Sequence, residues 1–405
     1  MNLKFLNRMI SATKLLSLQF APDAVAMRRH LHAHPELSFH EQETARFVAR
    51  ELTALGLHPQ EGVAGTGVVA LIEGAKSGVD NRVVALRADM DALPIREAND
   101  VPYKSTVDGV MHACGHDVHT SSLLTTARIL TGLRDQFSGM VKLVFQPAEE
   151  KAPGGASLMI KEGVLENPRP NTMIGQHVAT NVPVGKIGFR EGMYMASTDE
   201  IYMTIRGKGG HAAMPDYLID PVLIASHIIV ALQQIISRNR PPASPSVLSF
   251  GRFIANGITN VIPNHVEIEG TFRCMNEEWR EKGMMLIQKM AETMAEAMGG
   301  TCEFTRVKGY PFLKNQPELT RRLRTQTEAY MGTENVVDLD LWMAGEDFAF
   351  YSQVVDSCFY RLGTRNEARG IVSGVHTPTF DIDEEALAIG PGLMAWLAIQ
   401  ELQAG

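Results

Sequence analysis

Two short segments of this chain concentrate side chains that bind metal ions or move protons. Residues 111–119 carry one thiol, three imidazoles and a carboxylate, and residues 146–150 end in two adjacent glutamates. A structural core rarely uses so many ligand-type groups in so little sequence. The two segments together predict a metal-dependent hydrolase.

The spacing within each segment suits that chemistry. Cys114 and His116 are two residues apart, so in a loop both side chains can reach one ion, whereas on a helix they would diverge. Glu149 and Glu150 are neighbours whose side chains point apart in a turn. One can therefore bind a metal while the other takes a proton from water. Each residue alone has an ordinary alternative: a solvated glutamate pair, a small buried cysteine, or a core histidine at His177.

The elements that must position these groups form an alternating pattern. From residue 40 to 180 and from 310 to 400, short apolar runs alternate with helical periods, which is typical of a largely parallel α/β sheet flanked by helices. The buried strands are predicted at 83–86, 141–145, 173–175 and 359–362. Glutamates 149 and 150, aspartates 89 and 91, and His177 each follow one of these strands. Because parallel strands end at one edge, we expect these groups to converge, and the convergence favours an active site.

Local signals also predict helices. Residues 41–55 have apolar positions at helical spacing and stop at Gly56. Asp117 is expected to cap a helix over 121–133, whose positive end would face the ligand cluster.

The pattern changes between residues 195 and 308. Strands are predicted at 201–205, 247–254, 266–273 and 302–307, with one helix over 221–237 capped by Asp220 and another capped by Asn276. The order βαββαβ indicates an inserted ferredoxin-like α+β domain. The predicted domains are therefore a discontinuous catalytic domain, 1–194 with 309–405, and the insert 195–308.

Composition narrows the partners. With 405 residues, 45% of them hydrophobic, the chain can bury two cores, and a net charge of -8 argues against nucleic acid as a partner. Four scattered cysteines favour a reducing compartment, which we take to be the cytoplasm. Charged residues interrupt the first twenty positions, so these predict an amphipathic helix rather than a signal peptide or a membrane span.

A second histidine cluster competes for the metal: His30, His32, His34 and His40. His30 and His34 would share a helix face. Pro35 limits that helix, however, and Arg28 and Arg29 beside the cluster disfavour a cation.

Motifs spread along nearly the whole chain carry a family resemblance. They lie at residues 29–32, 35–37, 87–94, 112–117, 146–150, 207–211, 260–263, 345–348 and 375–377. In type, order and spacing they resemble the amidohydrolase branch of the aminoacylase and carboxypeptidase superfamily of metallopeptidases. That branch includes hippurate hydrolases, N-acyl amino acid amidohydrolases and plant auxin-conjugate hydrolases.

The resemblance implies a site with two divalent metal ions. Five residues would be the ligands: Cys114, His116, Glu150, His177 and His376. Glu149 would be the general base, and the histidines at 30, 32 and 34 would not be ligands. Zn or Mn is expected, with Co or Ni as alternatives. The superfamily usually has a metal-binding histidine in a His-x-Asp string where this chain has Asp89-Met90-Asp91. Asp91 would keep its place, orienting a ligand or the base.

The insert resembles the family's lid and dimerisation domain. A glycine-rich turn at 207–210 presents His211. In similar proteins this histidine crosses a homodimer interface and stabilises the oxyanion in the other subunit's site. Asn260 and Arg273 would hold the substrate's carboxylate, which a guanidinium can pair with through two hydrogen bonds.

These implications give one expected activity and two rivals. We expect hydrolysis of the amide bond of N-acyl-L-amino acids to a carboxylic acid and a free amino acid. The nearer rival is a dipeptidase or carboxypeptidase with the same fold. The other is a metal-free binding protein that keeps the fold without the chemistry.

Overall fold

The computed structural model describes residues 3–76 and 82–404, which divide into two compact units. Unit 1 comprises Met1–Gly192, Lys314–Asp340 and Phe350–Gly405, and unit 2 comprises Met193–Leu313 and Leu341–Ala349. The predicted domains also include residues 1–2, 77–81 and 405, which lie outside the described residues.

The helices and strands are numbered here in chain order. The helices are α1 Leu3–Ala33, α2 Gln42–Ala54, α3 His116–Gly132, α4 Gly155–Lys161, α5 Pro221–Gln234, α6 Glu277–Ala297, α7 Pro317–Met331, α8 Ala349–Ser352 and α9 Ala386–Leu402. The strands are β1 Gln60–Val63, β2 Gly67–Glu73, β3 Val83–Asp89, β4 Met140–Gln146, β5 Thr172–Pro183, β6 Ile187–Phe189, β7 Gly192–Met195, β8 Asp199–Arg206, β9 Gly210–His211, β10 Ser246–Ile254, β11 Val261–Ile262, β12 His265–Cys274, β13 Thr301–Lys308, β14 Leu313–Asn315, β15 Val336–Asp338 and β16 Asp356–Arg365. A π-helical turn, Ile235–Asn239, continues α5.

Unit 1 is built on an eight-stranded sheet in the order β1-β2-β4-β3-β5-β16-β6-β15. The four central strands, β4, β3, β5 and β16, run parallel. Every residue of β3 is buried, as expected for a central parallel strand covered on both faces. The predicted α/β fold with a mostly parallel sheet is confirmed.

One strand end differs from the prediction. We expected a strand at 173–175 that stopped before His177, but β5 continues to Pro183 and pairs His177 with Arg361 of β16. The neighbour on the other side, β3, pairs with β5 only as far as Arg87 and Gly175. His177 therefore lies within a strand, at the point where that strand loses one of its two partners.

Helices α1, α3 and α9 contact one another and contribute to the core of unit 1. Met9, Leu31 and Trp396 are among the buried side chains of this core. Along α1 the buried positions Met9, Thr13 and Ser17 recur every four residues, which is the amphipathic spacing expected from the sequence.

The predicted cap of α3 is wrong. The helix begins at His116, its N-cap is Gly115 in the left-handed region with φ +88°, and Asp117 lies inside the first turn. A side chain at position 115 would place its Cβ 2.5 Å from Cγ2 of Val178, so only glycine fits. The Asp117 carboxylate instead binds Arg28 and His32.

Unit 2 contains an antiparallel sheet in the order β10-β12-β8-β13, with α5 and α6 contributing to its apolar core. This is the strand order of a ferredoxin-like βαββαβ fold. The caps predicted for its helices are present: Asp220 accepts from two backbone N–H groups of α5, and Asn276 accepts from the N–H of Trp279.

Two segments of unit 2 need separate description: residues 341–349 and the apolar helix after residue 220. Residues 341–349 belong to unit 2, whereas the sequence analysis placed them in the catalytic domain. Within unit 2, the Ala196 N–H donates to the carbonyl oxygens of Trp342 and Ala344. Pro221–Asn239 is long and apolar enough to cross a membrane by length and composition alone. Its residues Ile224, Ile228 and Leu232 are buried in the apolar core of the unit, and core helices commonly pass this test.

Candidate metal centre

The loop before α3 presents the first two predicted ligands. The left-handed conformation of Gly115 turns the chain between Cys114 and His116, and both side chains are buried. The backbone N–H of His376 donates to the carbonyl oxygen of Ala113 at 2.7 Å, which joins this loop to the segment that carries the last predicted ligand.

The five predicted ligands lie together in unit 1. Their donor atoms fall into overlapping groups whose members lie within 4.8 Å of one another: Cys114 with His116 and His177, Cys114 with Glu150 and His376, and His116 with Glu149 and Glu150. The Cys114 Sγ lies 3.5 Å from His177 Nε2, and the His376 Nε2 lies 3.0 Å from Glu150 Oε1. Cys114, His116 and Glu150 each belong to two of these groups, so the three groups form one continuous cluster of donor atoms.

The histidine hydrogen bonds leave one ring nitrogen facing the cluster. His116 Nδ1 lies 2.8 Å from the carbonyl oxygen of Asp91, and His177 Nδ1 lies 2.8 Å from the carbonyl oxygen of Val178. Each Nδ1 must therefore be a donor, so in the neutral ring, which is the form that binds a metal, each Nε2 carries the lone pair. Among the described residues, the buried His116 Nε2 has no hydrogen-bond partner, and Glu150 Oε1 has none apart from its 3.0 Å ion-pair contact with His376 Nε2. Two buried acceptors facing one space fit a cation.

Asp91 holds the glutamate loop in place. Its Oδ1 accepts from the N–H of Glu149 at 3.0 Å, and its Oδ2 accepts from the N–H of Glu150 at 3.0 Å and from the Ser38 hydroxyl at 2.6 Å. Its Oδ1 also lies 3.2 Å from His116 Nδ1. This carboxylate thus orients both glutamates and one predicted ligand. Ser38 carried no signal in the sequence, because its role depends only on this contact.

Glu41 is a second residue that the sequence analysis missed. Its buried carboxylate accepts from the N–H of Ala148 at 2.8 Å and from the Thr66 hydroxyl at 2.8 Å. Burial, helped by the nearby Asp91, raises the pKa of Glu41. Ala148 has a positive φ of 50°, so Glu41 helps to hold the strained residue that precedes Glu149.

The electrostatic field at the cluster favours positive charge. Burial raises the pKa of the Cys114 thiol well above its usual value, and Glu150 and Glu149 raise it further, so a thiolate requires a nearby cation. Burial opposes protonation of His116, but Asp89, Asp91 and Glu150 outweigh it and raise its pKa to about 10. Burial lowers the pKa of His177 well below its usual value, which keeps the neutral ligand form.

The structure also places Asp89, whose role the sequence left undecided. Its Oδ1 lies 2.6 Å from His119 Nδ1, and its Oδ2 accepts from Arg87 at 2.6 Å. His119 Nε2 accepts from the N–H of Val178 at 2.9 Å. Asp89, His116 and His119 lie close enough to hold an ion. However, both nitrogens of His119 and both oxygens of Asp89 already have protein partners, so this group supports the strand around His177 instead.

The competing histidines do not form a metal cluster among residues 3–76 and 82–404. His30 stacks on Phe47 at 4.7 Å, and His34 Nδ1 lies 2.8 Å from the carbonyl oxygen of His30. His32 lies between two carboxylates, with Nδ1 2.8 Å from Asp117 and Nε2 3.3 Å from Glu97.

The remaining predicted residues lie in unit 2. His211 is exposed in β9, opposite Val261 of β11, and its Nδ1 accepts from the N–H of Ala213 at 3.1 Å. The carbonyl oxygen of Asn260 accepts from the N–H of Ala212. Arg273 in β12 donates to the Thr271 hydroxyl at 3.0 Å. Their roles toward a substrate stay predictions.

Comparison with known proteins identifies the family. Residues 85–400 match peptidase family M20/M25/M40. The chain belongs to this family. The prediction that this chain is a hydrolase of amide bonds in the metallopeptidase superfamily is therefore confirmed.

Three relatives cover most of the chain. An N-acyl-L-amino acid amidohydrolase of Geobacillus stearothermophilus is 44% identical over 73% of this chain and 79% of its own. A protein named thermostable carboxypeptidase 2, from Saccharolobus solfataricus, is 38% identical over 93% of this chain and 94% of its own. The crystal structure of Bacillus subtilis YXEP, described as a dinuclear metal binding peptidase of the M20 family, has a TM-score of 0.82 and 36% identity. It covers 96% of this chain and 99% of that one.

Proposed function

We propose that this chain hydrolyses the amide bond of N-acyl-L-amino acids at a centre of two divalent metal ions. The main observation is the set of donor atoms from Cys114, His116, Glu150, His177 and His376, which lie in overlapping groups with Glu149 beside them. Cys114, His116 and His177 are buried, Glu150 is partly buried and His376 is exposed. The amidohydrolase relative and the dinuclear YXEP structure support the same assignment.

The donor set suits two ions that share Cys114. One ion would be held by Cys114, His116 and His177, and the other by Cys114, Glu150 and His376. We expect Zn or Mn, with Co and Ni as alternatives: the thiolate and imidazoles suit Zn, whereas the carboxylate suits Mn. The bound ions would supply positive charge that polarises the amide carbonyl and makes a nearby water more acidic.

The protein's own groups would carry the proton. Glu149 is buried, Asp91 accepts from its backbone N–H, and its carboxylate lies beside His116 and Glu150, where it would act as the base. Glu149 takes the proton of the attacking water and passes it to the leaving nitrogen as the C–N bond breaks. Asp91 holds the backbone of Glu149 and Glu150 in place during this transfer.

Three further predicted site residues lie in unit 2. Arg273 forms no ion pair within the described parts of the chain, and burial lowers its pKa. A half-buried guanidinium without a carboxylate would pair with the carboxylate of the substrate, together with Asn260. His211 would stabilise the oxyanion in the partner subunit's site. This role requires a homodimer formed through unit 2, which sedimentation at several protein concentrations would test. We place the enzyme in the cytoplasm, acting without nucleic acid or membrane.

A substrate panel tests the activity. Metal-stripped protein is re-supplied with Zn²⁺, Mn²⁺, Co²⁺ or Ni²⁺ singly, and hydrolysis of N-acetyl and N-benzoyl amino acids is compared with that of dipeptides. We expect kcat/KM to be highest for the N-acyl compounds. Higher values for dipeptides or C-terminally extended peptides would favour the carboxypeptidase alternative, which the Saccharolobus relative supports. Absence of bound metal by elemental analysis would overturn the proposal.

A further inference from the structure

A buried arginine lies behind the ligand cluster without an assigned role. Arg28, near the end of α1, is fully buried. Its Nε donates to Asp117 Oδ2 at 2.8 Å, its Nη2 donates to Asp381 Oδ1 at 2.8 Å, and its Nη1 donates to Glu384 Oε1 at 3.3 Å. A guanidinium in this environment is stable only when carboxylates pair with it, and three do so here.

Those carboxylates belong to the two segments that carry proposed ligands. Asp117 directly follows His116 at the start of α3, and Asp381 and Glu384 follow His376 in the segment before α9. One side chain therefore ties the His116 loop to the His376 segment. His376 has a positive φ of 60°, which a non-glycine residue keeps only when its surroundings hold it.

Neighbouring groups make this tie rigid. The Tyr103 hydroxyl donates to Asp381 Oδ2 at 2.8 Å, and the Tyr103 ring lies 4.7 Å from the guanidinium carbon of Arg28. His32 Nδ1 lies 2.8 Å from the same oxygen of Asp117 that Arg28 binds. Each partner of Arg28 therefore has little freedom, which is what precise placement of metal ligands requires.

We propose that Arg28 is a positioning residue for the metal centre: it holds the His376 segment against the Cys114 loop so that His376 can bind a cation. This role rests on the proposed function, because it requires that the cluster bind cations. It also predicts that the two ions depend on Arg28 to different extents. The ion held by Cys114, Glu150 and His376 depends on Arg28, whereas the ion held by Cys114, His116 and His177 uses no ligand from the His376 segment.

Metal titration of variants of the full chain tests this role. The variants are Arg28→Met and Asp381→Asn, the second of which keeps Arg28 and its contact with Asp117. The control is Arg128→Met, because Arg128 pairs with Asp23 and so joins the same two helices, α3 and α1, at an exposed position. Metal-stripped proteins are titrated with Zn²⁺ and with Mn²⁺, bound metal is measured by mass spectrometry, and thermal unfolding is recorded alongside.

We expect Asp381→Asn to bind the first equivalent of metal as the wild type does and the second about 10- to 100-fold more weakly. Arg28→Met should weaken the second equivalent at least as much. Excess metal should restore kcat in both variants, and the Arg128→Met control should bind both equivalents normally. Equal binding of both equivalents by the variants and the wild type would overturn the role of Arg28. Equal weakening of both equivalents in Asp381→Asn would do the same. A wild-type chain that binds no cation would instead overturn the proposed function, and this role with it.

Discussion

Replacing Asp91 by asparagine should destabilise the metal-free protein and weaken metal binding together. The two carboxylate oxygens accept from the backbone N–H groups of Glu149 and Glu150, one each. In either orientation of the amide, its NH₂ group faces one of these N–H groups. The Ser38 hydroxyl can turn to accept from the amide, but a backbone N–H cannot. One buried N–H therefore loses its acceptor, which costs about 1–3 kcal/mol.

The ligands should also move. The His116 ring keeps the carbonyl of Asp91 as a partner, but it loses the negative charge 3.2 Å from its Nδ1. Changes of this kind beside a ligand lower metal affinity by about 10- to 100-fold.

Two measurements check the Asp91 prediction. Urea denaturation of metal-free protein gives the free energy of unfolding, and metal titration gives the affinity. Ser38→Ala is the control, because it removes one donor and leaves both backbone N–H groups bonded to Asp91, so it should cost only about 0.5–1.5 kcal/mol. The reasoning fails if Asp91→Asn has the stability and metal affinity of the wild type, or of Ser38→Ala.

Three further predictions follow from single side chains. Glu149→Gln should keep its bound metal, measured by elemental analysis, and its kcat for hydrolysis should fall by about 10²–10⁴-fold. Glu150→Gln should instead bind less metal. Substantial turnover by Glu149→Gln would mean that another residue is the base. Gly115→Ala should lose more unfolding free energy in urea than Gly109→Ala, because both have positive φ but only position 115 would meet a neighbouring side chain, and equal losses would contradict this. Burial lowers the pKa of Lys142 to about 8, so between pH 8 and 10.5 the unfolded chain binds the extra proton. Unfolding free energy should therefore rise with pH there by up to about 3 kcal/mol relative to Lys142→Met, and parallel pH curves would refute it.

The sequence predicted the parts of the fold whose cause is local. The caps at Asp220 and Asn276 bind N–H groups two or three residues away, so neighbouring residues were sufficient to predict them. The buried strands β3, β4 and β16 were recognisable as apolar runs. The fold class and the family are consequently confirmed.

Predictions that depended on distant contacts were less complete. The cap at Asp117 was wrong because this carboxylate binds Arg28 from another helix, and the left-handed Gly115 takes the cap position instead. The predicted end of β5 was wrong because β16 continues to pair with it beyond Gly175. The residues next to Asp117 and next to Gly175 were compatible with both the predicted and the observed structure.

The sequence alone determined which side chains could bind metal, because residue type and spacing fix the available chemistry. The choice of Glu149 over Glu150 as the base came from the family resemblance and stays a prediction. Only the tertiary structure decided how those groups are held. Asp91 receives the glutamate loop, Asp89 is engaged by Arg87 and His119, and Arg28 joins two ligand segments. Each of these contacts joins residues whose proximity comes from packing of the sheet and helices, and buried charges adopt whichever partners that packing supplies.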